Sequence, residues 1–155
     1  MDCIALNPTS DEYGGFQLNC SGWTYMGHLI SQCVSNASQV TKDWAGTNDG
    51  QEVSEKDARA MGEALLKALK EGRIKEMRVK DKRYTGGYFS VAFVEGSAIP
   101  FLQYDFEETE GSPYAAKVTP IFPVPNDLRP LQEGTKKWIE SFAMFLLNCG
   151  GFAQW

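Results

Sequence analysis

The residues from which a nucleophile and its base could be drawn are few: one histidine, His28, and four cysteines, Cys3, Cys20, Cys33 and Cys149. His28 could activate Cys20, Cys33 or Cys149 only through a tertiary contact. Cys33 lies five positions further along the same expected helix, which turns it to a different face from His28. No C-x-x-C pair occurs, and a four-ligand zinc set would need His28 and at least three of the cysteines to converge. Buried thiols acting as small hydrophobes are the expectation, and His28 is expected on or partly beneath a helix surface.

Carboxylates cluster at Asp105, Glu107, Glu108 and Glu110. In a strand Asp105 and Glu107 would share one face, the minimum for a divalent metal or an acid/base pair. The same residues on an edge strand also serve solubility and edge protection. Asn48-Asp49-Gly50-Gln51-Glu52 has the composition of an acidic calcium loop but lacks the ligand ladder of an EF-hand, so a polar turn is expected there. The glycine patterns of phosphate-binding loops and the Gly-x-Ser-x-Gly elbow are missing from the sequence.

Aromatic residues offer a different chemistry. Trp44, Tyr84, Tyr88, Tyr104 and Tyr114 fall in loops or on strands expected to have a solvated face. Tyr and Trp with Arg are the side chains that anchor protein interfaces. Arg83-Tyr84, beside Gly86-Gly87, makes a compact candidate patch. The competing reading is that these rings pack on a small sheet.

These residues belong to a chain of 155 residues with a formal charge of −5. That length suits one domain, 1–155, large enough to hold a core without staples. Charge is uneven: residues 67–83 carry eight bases (Lys67, Lys70, Arg73, Lys75, Arg78, Lys80, Lys82, Arg83) against three acids, within an otherwise acidic chain. A general nucleic-acid binder is usually basic throughout, so nucleic acid is not expected as a partner. The basic segment reads as the solvated face and exit of a helix, where cations suit the C-terminal dipole, with electrostatic docking to an acidic partner as the alternative. No apolar run reaches membrane-spanning length, and Met1-Asp2-Cys3-Ile4 lacks the pattern of a secretory signal. A cytoplasmic location is expected.

Periodicity supplies the elements that must position the candidates. Phe16, Leu18 and Cys20 alternate as in a short strand. Met26, Leu29, Ile30 and Cys33 keep helical spacing behind a cap at Ser21, and residues 35–50 read as a loop. Ser54 and Asp57 resemble a capping box that opens a helix through Ala58, Met61, Leu65 and Leu69, with Gly72 at its end. Residues 73–83 suit a strand or a short helix. Tyr88–Val94 and Ile99–Phe106 form an expected hairpin around Glu95-Gly96-Ser97, with Pro100 at a strand start or edge. A third extended piece runs from Tyr114 to Phe122, in a proline-rich connector. Residues 131–149 form a broadly apolar helix, and Gly150-Gly151 stops it before a short strand at Phe152–Trp155. An aromatic follows Gly-Gly at Gly14-Gly15-Phe16, Gly86-Gly87-Tyr88 and Gly150-Gly151-Phe152, which predicts tight turns entering strands. The expected fold is α+β, three main helices packed on a small, mainly antiparallel sheet built from residues 84–122.

Asn48-Asp49-Gly50-Gln51, Val53, Asp57-Ala58 and Ala64-Leu65, with Phe142, Phe145, Gly150-Gly151-Phe152 and Trp155, resemble a loose group of small uncharacterised bacterial proteins. These share an N-D-G-x-x-V-x-x-x-D-A helix start and a C-terminal helix followed by Gly-Gly-Phe. The resemblance covers residues 16–71 and 135–155, while 73–130 departs from it. It implies a fold core and a bacterial origin, and no site residues.

The expectation drawn from the whole is a non-catalytic protein-binding protein of inhibitor or immunity type, with no cofactor. Its surface would comprise Trp44, Arg83, Tyr84, Tyr88, Tyr104, Asp105, Glu107, Glu108 and Glu110, set against a toxin or other basic protein. The alternatives are a small hydrolase or transferase using His28 or the Asp105/Glu107 carboxylates, and a small-ligand module with an aromatic-lined pocket.

Overall fold

The computed structural model describes residues 2–34, 50–106 and 116–155, which form an α+β fold in which every strand pairing is antiparallel. Three helices were expected, and three are present among the described residues: α1 (Cys20–Cys33), α2 (Glu55–Lys70) and α3 (Glu133–Asn148). The Ser54 hydroxyl accepts from the Asp57 amide at 3.1 Å and so starts α2 where the capping box placed it. Beyond its end, Gly72 takes the left-handed conformation and Arg73 N donates to Ala68 O, closing the last turn. In α1 the cap is Asn19, not Ser21. The Asn19 side chain accepts from Gly22 N at 2.7 Å, and the helix begins one residue later.

The strands form three ladders rather than one sheet. In the first, β1 (Asp2–Ala5), β2 (Gly15–Gln17), β3 (Glu52–Val53) and β9 (Phe152–Gln154) are ordered β2-β1-β9-β3, so the two ends of the chain lie side by side at its centre. The second is β5-β4-β8, built from β4 (Ile74–Lys80), β5 (Tyr88–Val94) and β8 (Arg129–Pro130). The third pairs β6 (Phe101–Phe106) with β7 (Ala116–Ile121). The expected hairpin between Tyr88–Val94 and Ile99–Phe106 therefore does not form. β5 pairs instead with β4, which makes residues 74–80 a strand and removes most of the basic segment from a helix exit. Each Gly-Gly-aromatic turn does enter a strand, at β2, β5 and β9. The C-terminal case shows the reason: Gly151 has φ +88°, and a Cβ there would stand 2.8 Å from Val53 O.

Two apolar cores explain why β5 turns away from β6. The larger gathers Trp23, Met26, Leu29 and Ile30 of α1, Met61 and Leu65 of α2, Ile139, Phe142, Phe145 and Leu146 of α3, and Phe152. Each such large side chain, fully buried, contributes about 1.5–3 kcal/mol. Ile74, Ala92 and Val94 complete this core from one face of the β4–β5 ladder. The alternate residues Met77, Val79, Val91 and Phe93 point the opposite way into the smaller core. A strand buried on both faces needs a second layer over it. Phe101 of β6 and Ile121 of β7 supply that layer, which they could not do lying flat beside β5 in one sheet. Among the described residues, no helix is long and apolar enough to cross a membrane.

Candidate functional site

Where the first turn of α1 meets the edge of β5 and the β6 strand, a cleft of about 530 Å³ opens. Ser21, Thr24 and Tyr25 line one wall, and Phe89, Ser90 and Val91 another. Phe101 to Tyr104 form a third, and the turn between β4 and β5 contributes Asp81, Arg83 and Tyr84. The lining is mainly apolar with a few convergent polar groups, the usual character of a binding site.

Asp81 is the polar centre of the cleft and only 5% exposed. Its carboxylate accepts from the Arg83 backbone amide at 2.9 Å, from Arg83 Nε at 3.1 Å and Nη2 at 2.6 Å, and from Gln103 Nε2 at 3.1 Å. Hydrogen bonds from Arg83 hold the carboxyl below its ordinary range, and the same pairing raises Arg83. Arg83 Nη1 donates onward to Tyr104 O at 3.0 Å, tying the β4–β5 turn to β6. Asp105 approaches Arg83 at 3.8 Å. Around this polar group the Tyr84 and Phe89 rings stack 5.1 Å apart, and Phe89 tilts against Phe101 at 5.8 Å.

Of the residues expected to form the surface, Arg83, Tyr84 and Tyr104 line the cleft, and Asp105 stands beside Arg83. Tyr88 lies at the start of β5 with Arg78 over its ring, 4.8 Å from the centroid. Trp44, Glu107, Glu108, Glu110 and Tyr114 fall outside the described residues, as do Asn48 and Asp49 of the acidic turn. Asp81, Gln103, Tyr25, Phe89 and Phe101 escaped the sequence reading. Asp81 carried one visible signal, a lone carboxylate within the basic run Lys80-Asp81-Lys82-Arg83. In the charge balance of residues 67–83 it is one of the three acids.

His28 is half-buried beside the cleft, edge-on to Phe93 at 5.3 Å and to Phe101 at 5.2 Å. The Val94 amide donates to Gln32 Oε1 at 2.7 Å, which turns the Gln32 nitrogen toward His28 Nε2 at 2.5 Å. Nε2 must therefore accept, which leaves the ring neutral with its proton on Nδ1. Burial lowers His28 to about 4, in keeping with that neutral state. The geometry gives His28 a part in joining α1 to β5. Cys3 and Cys149 are buried and Cys33 is partly so; burial raises all three thiols, Cys33 to about 11. Among the described residues, no three His, Cys, Asp or Glu side chains gather as a metal-ligand set.

Comparison of the chain with protein-family models, curated proteins and solved structures returns no match.

Proposed function

We propose that this is a non-catalytic protein-binding protein, of inhibitor or immunity type, that engages its partner through the aromatic surface around the cleft. The observation that carries the reading is the exposure of large apolar side chains on the cleft rim and the hairpin above it. Tyr84, Tyr88 and Tyr104 are 44–45% exposed and Leu102 is 42% exposed. Leu102, Tyr104 and Val118 share the outer face of the β6–β7 ladder, opposite Phe101 and Ile121, which face inward. Tyr88 on β5, Tyr104 on β6 and Tyr84 in the turn between β4 and β5 are side chains that bury area at low entropic cost, as interface anchors do. Arg83, fixed by Asp81, adds a pre-ordered cation to the same rim. Of the expected acidic residues, Asp105 lies within the described residues, 3.8 Å from Arg83.

The test is capture of a stoichiometric partner by the tagged protein in its native host. Tyr84→Ala and Tyr104→Ala are expected to lose that partner while the circular dichroism of the fold is kept. Retention of the partner by both variants would place its docking surface elsewhere.

The cleft volume favours a second reading, since about 300–1,000 Å³ is the range of small-molecule sites. A metabolite that raises the melting temperature of the isolated protein, and loses that effect in Tyr84→Ala, would support it.

A further inference from the structure

We infer that the cleft is a site for an uncharged, planar aromatic small molecule that carries a hydrogen-bonding group such as a carboxamide. This rests on the small-molecule reading of the cleft and names the class of ligand.

Charge comes first. Asp81 and Arg83 are the charged side chains of the lining, and they bind each other. Asp105 stands outside the lining, 3.8 Å from the same Arg83, and Gln103 takes up a further site on Asp81. A ligand charge of either sign therefore finds no unmatched partner in the lining. It would also lose its water on entering a mainly apolar cleft, a cost that an uncharged ligand avoids.

The rings set the shape. Tyr84 stacks on Phe89 with ring planes 25° apart, and Phe89 tilts against Phe101. Tyr84 and Tyr104 both line the cleft and both remain exposed. Ring surface is thus left over at the cleft rim, where a planar ligand can extend the stack in offset or edge-to-face contact. A saturated ligand of the same size gains burial alone.

The remaining polar groups are neutral. Ser21 and Tyr25 of α1 and Ser90 of β5 bring hydroxyls to the cleft, and Gln103 of β6 brings a carboxamide. Among the described residues nothing hydrogen-bonds to the hydroxyl of Tyr25 or Ser90. Burial above all, with the Glu76 carboxylate adding to it, pushes the Tyr25 phenol up, so at neutral pH it stays a donor. Hydroxyls donate and accept, which matches a carboxamide, itself donor and acceptor. A few such groups in an aromatic pocket fix a ligand's orientation.

The probes are naphthamide, naphthoate, naphthylmethylammonium and the saturated decalin carboxamide, molecules of similar size, each titrated into the ¹⁵N-labelled full chain. Naphthamide is expected to bind at about 1 mM or tighter. Its shifts should concentrate on the amides of Thr24, Tyr84, Ser90 and Gln103. The other three should bind at least about fivefold more weakly. Tyr25→Phe, which keeps the ring and removes the hydroxyl, should weaken naphthamide by about threefold or more. Ser90→Ala is a second such variant that leaves the aromatic walls untouched. Equal or tighter binding of the anion, the cation or the saturated amide at the same amides overturns the ligand class and leaves the small-molecule reading standing. Full affinity for naphthamide in both variants overturns the hydrogen-bonding part of the proposal. No binding of any of the four up to about 5 mM overturns the proposal and the small-molecule reading together.

Discussion

Arg83 turns back onto Asp81, two residues earlier, with Nε 3.1 Å from both carboxylate oxygens and Nη2 2.6 Å from one of them. The arginine side chain is half exposed while the carboxylate is almost fully covered, so the pair spans the cleft from floor to rim. A guanidinium held in this way meets a ligand already ordered and loses little conformational freedom on binding.

Removing both partners should therefore cost less than the two single losses added together. Asp81→Ala leaves Arg83 and Gln103 without their acceptor, and Arg83→Ala leaves a covered carboxylate unpaired. Each single variant is expected to lower the urea midpoint, with the double variant less damaged than the sum of the two. Additive losses in that cycle would mean that the pair does not act as a unit. The carboxyl is depressed below its ordinary 3.8, so the stability it supplies is complete above that value and lost as pH falls through the folded pKa.

His28 should leave its own mark on the pH profile. Its folded pKa of about 4 lies below the ordinary 6.5, so the unfolded chain takes up the proton first. Stability is expected to decline as pH falls between about 6.5 and about 4, and to be unaffected by this group above that interval. His28→Ala, which strands the Gln32 donor, should cost about 1–3 kcal/mol at neutral pH. It should also remove this part of the decline in thermal unfolding. An unchanged slope in the variant would assign the decline to other groups.

Gly62 sets how closely α2 approaches α3. A Cβ at this position would lie 2.8 Å from Ala143 O and 3.0 Å from Leu147 Cγ. The first of these is backbone and yields only if a helix shifts. Overpacking of about 1–3 kcal/mol should outweigh a helix-propensity gain of up to about 1 kcal/mol. Gly62→Ala is thus expected to unfold at lower urea, and a raised midpoint would show that the two helices separate freely.

Asn19 caps the helix whose first turn forms a wall of the cleft. Asn19→Ala should destabilise by about 1 kcal/mol, while Asn19→Asp or Asn19→Ser should largely restore the loss. Faster hydrogen exchange at Ser21, Gly22 and Trp23 in the alanine variant would locate the effect. Exchange unchanged at those amides would count against the cap.

Local signals made several of these elements readable before the fold was known. The α2 helix follows from a capping residue, a 3–4 apolar spacing and a terminal glycine, all within one stretch of chain. The α3 stripe of Ile139, Phe142, Phe145 and Leu146 required burial wherever the helix went. Arg83 and Tyr84 were identifiable by residue type and by their place beside Gly86-Gly87, and Tyr104 by residue type on a strand expected to have a solvated face. The pairing of β5 was not readable, because Tyr88–Val94 offers apolar side chains on both faces and suits β4 or β6 equally as a neighbour. Asp81 stayed hidden for a related reason. In sequence it is one carboxylate among cations, and only the β4–β5 turn aims it at Gln103, 22 residues further on.

What the sequence determined by itself was local: helix caps, helix faces, the Gly-Gly turns into β2, β5 and β9, and the aromatic character of the candidate surface. These depend on residues within a few positions of one another, whose geometry backbone stereochemistry sets directly. The tertiary structure decided the three separate ladders, the cleft, and the conversion of a basic segment into an edge hairpin with a covered carboxylate. Those outcomes depend on how two apolar cores divide the faces of β5. That division is a matter of which distant side chains can bury together, and no spacing along the chain encodes it.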